Sequence, residues 1–335
     1  MKGCAQRQGA LFFANDCSRA HPHSTPGRVF RQWICALQGT DLLPTRTRWS
    51  YPSACSTVTV TDESEFDDKH RRALFSAHAE AYGDGRPGYP SAVFDHLRTS
   101  CGLRPGCEVL EIGPGAGQAT GPLLDAGAQV LAVEVGDAFA SLLRRRFENR
   151  RFEVKQGEFE TVDLDPESFD LVAAATSFHW VSPQPGLDRV ARLLRPGGSV
   201  ALWWNHFGDP SRFDPFREAV QPLLEQHAPQ LAESAGIGGA GIGAHPYALD
   251  VGARTEEINS NAKFGPVEHV LVPWTANQTA HQMQQFLSSF SHWMALEAMA
   301  RADLLHAVGD LIDTRFGGAV DRPFLTAIYT ARRLG

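Results

Sequence analysis

The chain has 335 residues, 43% of them apolar, enough to fill the core of one large or two ordinary domains. Its formal net charge of -7 and the lack of a basic stripe from Asp62 onward argue against a nucleic-acid footprint, because a polyanion is held by clustered Lys and Arg. No apolar run reaches the roughly 20 residues of a membrane span, and MKGCAQRQGALFF has too short an apolar segment for a secretory leader, so a cytoplasmic location is expected.

Residues 1–60 mix Pro, Ser, Thr, Arg and isolated aromatics with neither a helical nor a strand period, which predicts a disordered extension or one added by an upstream start codon. Cys4, Cys17, Cys35 and Cys55 lie here at wide spacings, and even with His21 and His23 they match no zinc signature; no metal is expected. Cys101 and Cys107 flank the first strand candidate as small packing residues. The main domain is expected over residues 61–335, beginning with a helical cap at 61–100. There DESEFDDKHRRALFSAHAEAYGDG predicts a helix entered through acidic residues, and GRPGYPSAVFDHL a turn into a second helix with Pro90 near its start.

Apolar strands then alternate with helices. Strands are predicted at Glu108–Ile112, Gln129–Val135, Phe152–Lys155, Phe169–Ala175 and Ser199–Trp204. DAFASLLRRRF and GLDRVARLLRPGG lie between them as amphipathic helices, Phe139, Leu143 and Phe147 forming the apolar stripe of the first. This rhythm calls for a mostly parallel α/β sheet with helices on both faces. Residues 205–266 break it with one helix, PFREAVQPLLEQH, and the glycine-rich SAGIGGAGIGAHP, an insertion expected to act as a lid. VEHVLVPW, two helical stretches and RPFLTAIYTARR close the chain.

The chemistry concentrates in EIGPGAGQ, residues 111–118. Gly113, Gly115 and Gly117 spell GxGxG after a strand, whereas the nicotinamide fingerprint GxGxxG requires glycine at Gln118. The first two glycines let a strand turn sharply into a helix and let backbone N–H groups approach a ligand. Glu111 supplies negative charge where an ammonium would lie. Glu134 ends the second strand about 20 residues on, where a carboxylate accepts from ribose hydroxyls. No GK[ST] follows the loop, which excludes P-loop chemistry.

The combination VLEIGPGAGQAT, AVEVGDAF, KQGEFETVDL, FDLVAAATSFHWV, LLRPGGSVALWW and IYTARRL resembles the class I S-adenosylmethionine-dependent methyltransferases, within them the small-molecule type 11 group that includes trans-aconitate and quinone-type enzymes. AEAYGDGRPGYP is similar to a stretch preceding the core in some of these. The resemblance covers residues 70–335. It implies a Rossmann-like seven-stranded sheet ending in an antiparallel strand pair, S-adenosyl-L-methionine as cofactor, and a small-molecule acceptor with neither nucleic acid nor membrane as partner. By the same resemblance Gly113, Gly115 and Gly117 line the methionine portion, Glu111 lies near its amino group and Glu134 holds the ribose. Glu158 replaces the family's usual Asp at the adenine amino group, with the Phe159 backbone at the ring edge.

Methyl transfer from a sulfonium needs alignment and exclusion of water, with a general base only for some acceptors. His179, in SFHW after the fourth strand, is the best placed base, and a pocket-shaping histidine is the competing role. His206 and His292 are poorer candidates. Tyr82, Phe178 and Trp180 are candidate aromatic faces for the sulfonium, and Arg86 a candidate partner for the methionine carboxylate. Trp203 and Trp204 are expected to divide between core and pocket wall, and Arg144–Arg146 to form a solvated helix face. A nicotinamide-dependent oxidoreductase and a non-catalytic cofactor binder are the alternatives of other classes.

Overall fold

The computed structural model describes residues 85–234 and 247–335. Tyr82, most of the helical cap, the whole of residues 1–60 and most of the glycine-rich stretch lie outside them. Seven strands form one sheet: β1 Glu108–Ile112, β2 Gln129–Glu134, β3 Phe152–Gln156, β4 Phe169–Ala175, β5 Leu194–His206, β6 Glu268–Thr279 and β7 Ala319–Arg332. Their order is β3-β2-β1-β4-β5-β7-β6. The first five run parallel, and β7 lies antiparallel between β5 and β6. The fold is therefore the Rossmann-like, mostly parallel sheet that the sequence predicts. β5 is longer than predicted: Phe169 pairs with Leu194 and Leu171 with Ser199, so the Arg-Pro-Gly-Gly segment is taken up as an irregularity inside the strand.

Strand alternation sends neighbouring side chains to opposite faces. One face gathers Val109, Val130, Leu171, Ala201 and Trp203 under α1 (Ser91–Ser100), α2 (Thr120–Asp125) and α3 (Asp137–Arg146). The other gathers Leu110, Val133, Val172, Leu202 and Trp204 under α4 (Pro183–Leu193) and α7 (Val251–Asn259). Adjacent Trp203 and Trp204 thus enter different cores. Both faces are dry, which is why these strands read as nearly continuous apolar runs.

A third apolar cluster was not foreseen. α5 (Pro215–His227), α6 (Pro229–Ser234), α8 (Ala280–Ser288), α9 (Ser291–Met294) and α10 (Ala298–Phe316) close around Phe216, Phe286, Trp293, Val308 and Phe324. Thr279 and Gln282 start α8 with a capping box, side chains bonding each other's backbone amides, and Gly317 ends α10 at φ +71°. The insertion is therefore divided: α5 joins this helical layer, while α7 packs on the sheet. Where the layer meets β7, Asp214 accepts from the Arg322 guanidinium at 2.7 Å, the two side chains only 8% and 1% exposed. Asp214 also caps α5 by accepting from the Arg217 amide.

Candidate functional site

The chain crosses from β1 into α2 through residues 113–119, at the point where the strand order reverses and the carboxyl ends of β1 and β4 leave a crevice. Gly113, Gly115 and Gly117 all have left-handed backbone, φ +62°, +58° and +89°. Their surroundings differ. A Cβ at Gly113 would lie 2.8 Å from the Ser177 Cβ, and one at Gly117 would lie 2.7 Å from the Phe147 ring. At Gly115 a Cβ would meet nothing within 4 Å. Gly113 and Gly117 thus allow close packing against β4's end and α3, and Gly115 faces open space.

That space is a cavity of about 300 Å³. Ile112, Val133, Phe139, Phe159 and Val181 line it with apolar surface, and Glu134, Glu158, Ser177 and His179 contribute polar atoms. The Glu134 carboxylate accepts from the Gly115 amide at 3.1 Å and from the Gly136 amide at 2.8 Å, tying together the loops after β1 and β2. Arg144–Arg146 are exposed, as expected of a solvated helix face, and Arg146 in addition donates to the Ala116 carbonyl at 2.9 Å, which props the glycine loop. Phe159 is buried, whereas Glu158 is exposed at the rim.

Glu111 and Gly117 are not among the residues lining this cavity. Glu111 is fully buried beneath the loop; Thr120 donates to its Oε2 at 2.7 Å, and among the described residues its Oε1 has no hydrogen-bond partner. Desolvation, with a smaller push from the Glu134 charge, raises its pKa to about 7 against the lowering effect of the Thr120 bond. A buried carboxyl oxygen without a donor and a left-handed glycine opening onto a lined cavity fit a ligand that brings an ammonium and needs backbone approach, as S-adenosylmethionine does.

Several candidates stand elsewhere. Arg86 lines the cavity, but its guanidinium lies 4.3 Å from the centre of the Phe290 ring and donates to the Ser289 carbonyl at 3.2 Å, which directs it toward the helical layer. Phe178 is a core residue, 1% exposed. His206 faces another groove, its pKa lowered by burial and by Arg217, and His292 is stacked on Phe290 with a pKa lowered by burial. Trp180 lines the cavity. His179, in the turn Phe178–Trp180, also lines it, and its Nδ1 accepts from the Trp204 indole N–H at 3.2 Å.

Thr176 has no sequence signal and emerges only from the geometry. It follows β4 with φ +58°, a conformation that a β-branched residue adopts only when its surroundings enforce it. Its N–H donates to the Trp203 carbonyl at 2.7 Å, and its Oγ1 meets the Tyr89 hydroxyl at 2.9 Å. It lines both the main cavity and a recess of about 70 Å³ bounded by Tyr89, Asn205 and Phe207. Among the described residues no cluster of His, Cys, Asp or Glu is arranged to hold a metal, and no helix is long and apolar enough to cross a membrane.

Residues 110–202 match the family described as a methyltransferase domain. An uncharacterized methyltransferase of Mycobacterium tuberculosis is 36% identical over 131 residues, 39% of this chain and 51% of that protein. Ribosomal RNA small subunit methyltransferase A of Thermosynechococcus vestitus is 38% identical over 136 residues, again 39% of this chain and 51% of the relative. The chain thus spans about half the length of these curated relatives. Among solved structures, that of a putative type II methyltransferase from Anaeromyxobacter dehalogenans has the same fold, with a TM-score of 0.54 and 22% identity over 74% of this chain and 98% of the other.

Proposed function

We propose that the chain, whose residues 110–202 match a methyltransferase domain, is a class I S-adenosylmethionine-dependent methyltransferase that transfers the cofactor's methyl group to a small-molecule acceptor enclosed at the ends of β4 and β5. The observation that carries this reading is Gly115, a left-handed glycine whose missing side chain opens onto a lined cavity between Glu134 and the carboxyl end of β1.

S-adenosylmethionine supplies an electrophilic methyl on a sulfonium. The residues to hold it are Gly113 and Gly115 through close backbone approach, Glu111 toward the ammonium, Glu134 toward the ribose, and Glu158 with Phe159 at the adenine. Ile112, Val133, Phe139 and Val181 line that cavity with apolar surface, and a ligand that displaces water from it would meet strengthened polar contacts. Trp180 offers a ring face to positive charge. A positioned acceptor then needs only in-line approach, because alignment supplies most of the advantage.

Calorimetric titration with S-adenosylhomocysteine, NADH and NADPH tests the cofactor: binding of the first alone supports the proposal, and binding of a nicotinamide alone replaces it with an oxidoreductase. Label from methyl-labelled cofactor is then followed into an extract separated into metabolites and RNA. Label in the metabolite fraction supports a small-molecule acceptor, label in RNA moves the activity to nucleic acid, and no label leaves a cofactor-binding protein without transferase activity.

A further inference from the structure

We infer that Asn205 is a positioning residue of the candidate site: aligned by Thr326, its amide clamps the Gly88 carbonyl to the end of β5 and fixes one wall of the recess beside the glycine loop. The consequence for a bound cofactor rests on the methyltransferase reading above; the clamp itself stands without it.

Asn205 lies one residue beyond the strand predicted from the sequence, and β5 extends to include it. Antiparallel register sets it directly opposite Thr326 of β7, and Thr326 opposite Val272 of β6, so Trp274, two residues on, shares the same face of the sheet. The three side chains join across the strands. The Trp274 indole N–H donates to Thr326 Oγ1 at 3.0 Å, and Thr326 donates to Asn205 Oδ1 at 2.7 Å. Asn205 Nδ2 then donates to the Gly88 carbonyl at 3.0 Å.

Each end of this chain permits one direction. A carbonyl only accepts, so the Asn205 atom facing Gly88 is the amide nitrogen. An indole only donates, so Thr326 Oγ1 accepts there and gives its single proton to Asn205 Oδ1. Turning the amide over would set Oδ1 against the Gly88 carbonyl and take the acceptor away from the Thr326 proton. Burial keeps water from substituting, Thr326 being fully buried and Asn205 9% exposed.

Asn205 reaches the same segment a second way. Its backbone N–H donates to Thr176 Oγ1 at 3.4 Å, and that oxygen meets the Tyr89 hydroxyl at 2.9 Å. Arg86, Pro87 and Tyr89 form one part of the recess wall, and Gly113, Pro114 and Gly115 another. The shape of the recess therefore depends on where the Gly88 segment stands relative to the glycine loop, and Asn205 is the side chain that ties that segment to the sheet. A neutral hydrogen bond adds little net stability, but a chain of them with every proton assigned fixes one geometry.

Gly88–Tyr89 is the one Gly-Tyr step in the sequence. The full chain with carbon-13 at glycine carbonyls and nitrogen-15 at tyrosine amides therefore gives a single carbonyl-to-amide cross-peak, that of the Gly88 carbonyl. Asn205→Asp replaces the donor by an oxygen in nearly the same shape and should move this peak upfield. Thr326→Val should do the same, because the amide loses the hydroxyl that orients it, and Thr326→Ser, which restores a hydroxyl, should return the peak. By calorimetry, S-adenosylhomocysteine should bind about tenfold more weakly to Asn205→Asp and about two- to tenfold more weakly to Thr326→Val, the scale of one neutral hydrogen bond. Thr326→Ser should recover wild-type affinity. A Gly88 peak unmoved by both Asn205→Asp and Thr326→Val overturns the clamp. A moved peak with wild-type affinity in both variants overturns the positioning role. Should Asn205→Asp not fold, Thr326→Val carries both readouts. Absence of S-adenosylhomocysteine binding in the wild type removes the methyltransferase reading, and the Gly88 peak still decides the clamp.

Discussion

Gly115 and Gly117 sit two residues apart in one loop with the same backbone hand, and their replacement should fail in opposite ways. A side chain at either position must adopt a left-handed conformation, which costs roughly 1–2 kcal/mol. At Gly115 there is no further packing cost, since a Cβ meets nothing within 4 Å. Gly115→Val should therefore lower the melting temperature by only about 2–8 °C, at roughly 2–4 °C per kcal/mol for a domain of this size. Its methyls fill the space a ligand would take, and S-adenosylhomocysteine affinity should fall a hundredfold or more, about 3 kcal/mol. At Gly117 even alanine places a Cβ 2.7 Å from the Phe147 ring and 3.1 Å from Leu143, adding about 1–3 kcal/mol of overpacking to the strain. Gly117→Ala should lose about 4–20 °C, with whatever folds retaining affinity within about tenfold. Scanning calorimetry and isothermal titration of the two variants measure both quantities. Wild-type affinity in Gly115→Val, or a wild-type melt in Gly117→Ala, would refute the division of labour between them.

Glu111 ionises near pH 4.5 when unfolded but keeps its proton to about pH 7 when folded, so its contribution to stability is complete below pH 4.5 and declines as pH rises to about 7, by on the order of 3 kcal/mol. Glu111→Gln should flatten the melting temperature between pH 5 and 8, and an equally steep fall in the variant would argue against a carboxyl buried there. Asp214→Asn leaves the Arg322 charge buried without its counterion and should cost about 3–5 kcal/mol, seen as a lower urea midpoint; a change below about 1 kcal/mol would mean that water reaches the pair. Glu134→Gln puts an amide group where one of two loop amides now finds an acceptor, and should weaken S-adenosylhomocysteine about tenfold or more by calorimetry with little change in the melt.

The sheet was legible because its strands are buried on both faces and leave nearly continuous apolar runs, and because EIGPGAGQ marks a sharp strand-to-helix turn. The antiparallel end was expected from the family resemblance, with VEHVLVPW and RPFLTAIYTARR as the segments to supply it; the residues alone do not fix a strand's direction. The helical layer was not, since its cluster joins Phe216 to Trp293 and Val308, residues brought together only by the return of β7. Site residues were read by position along the chain, which finds Gly115, Glu134 and Phe159 at the cavity but cannot say which way a carboxyl turns; Glu111 faces Thr120 beneath the loop. The exposed face of Arg144–Arg146 was legible from the triplet, but the reach of Arg146 to the Ala116 carbonyl was not, because that carbonyl lies 30 residues away in the chain. Thr176 illustrates the same limit, since an unfavourable backbone conformation leaves no mark in residue types.

The two hydrogen bonds of Glu134 carry a kinetic consequence. Its carboxylate already clasps Gly115 and Gly136, so whatever diffuses into the cavity meets two loops that need no assembly. Encounter and capture should then merge into one bimolecular phase in stopped-flow mixing, with an observed rate that rises linearly with ligand concentration and shows no plateau from a preceding loop-ordering step.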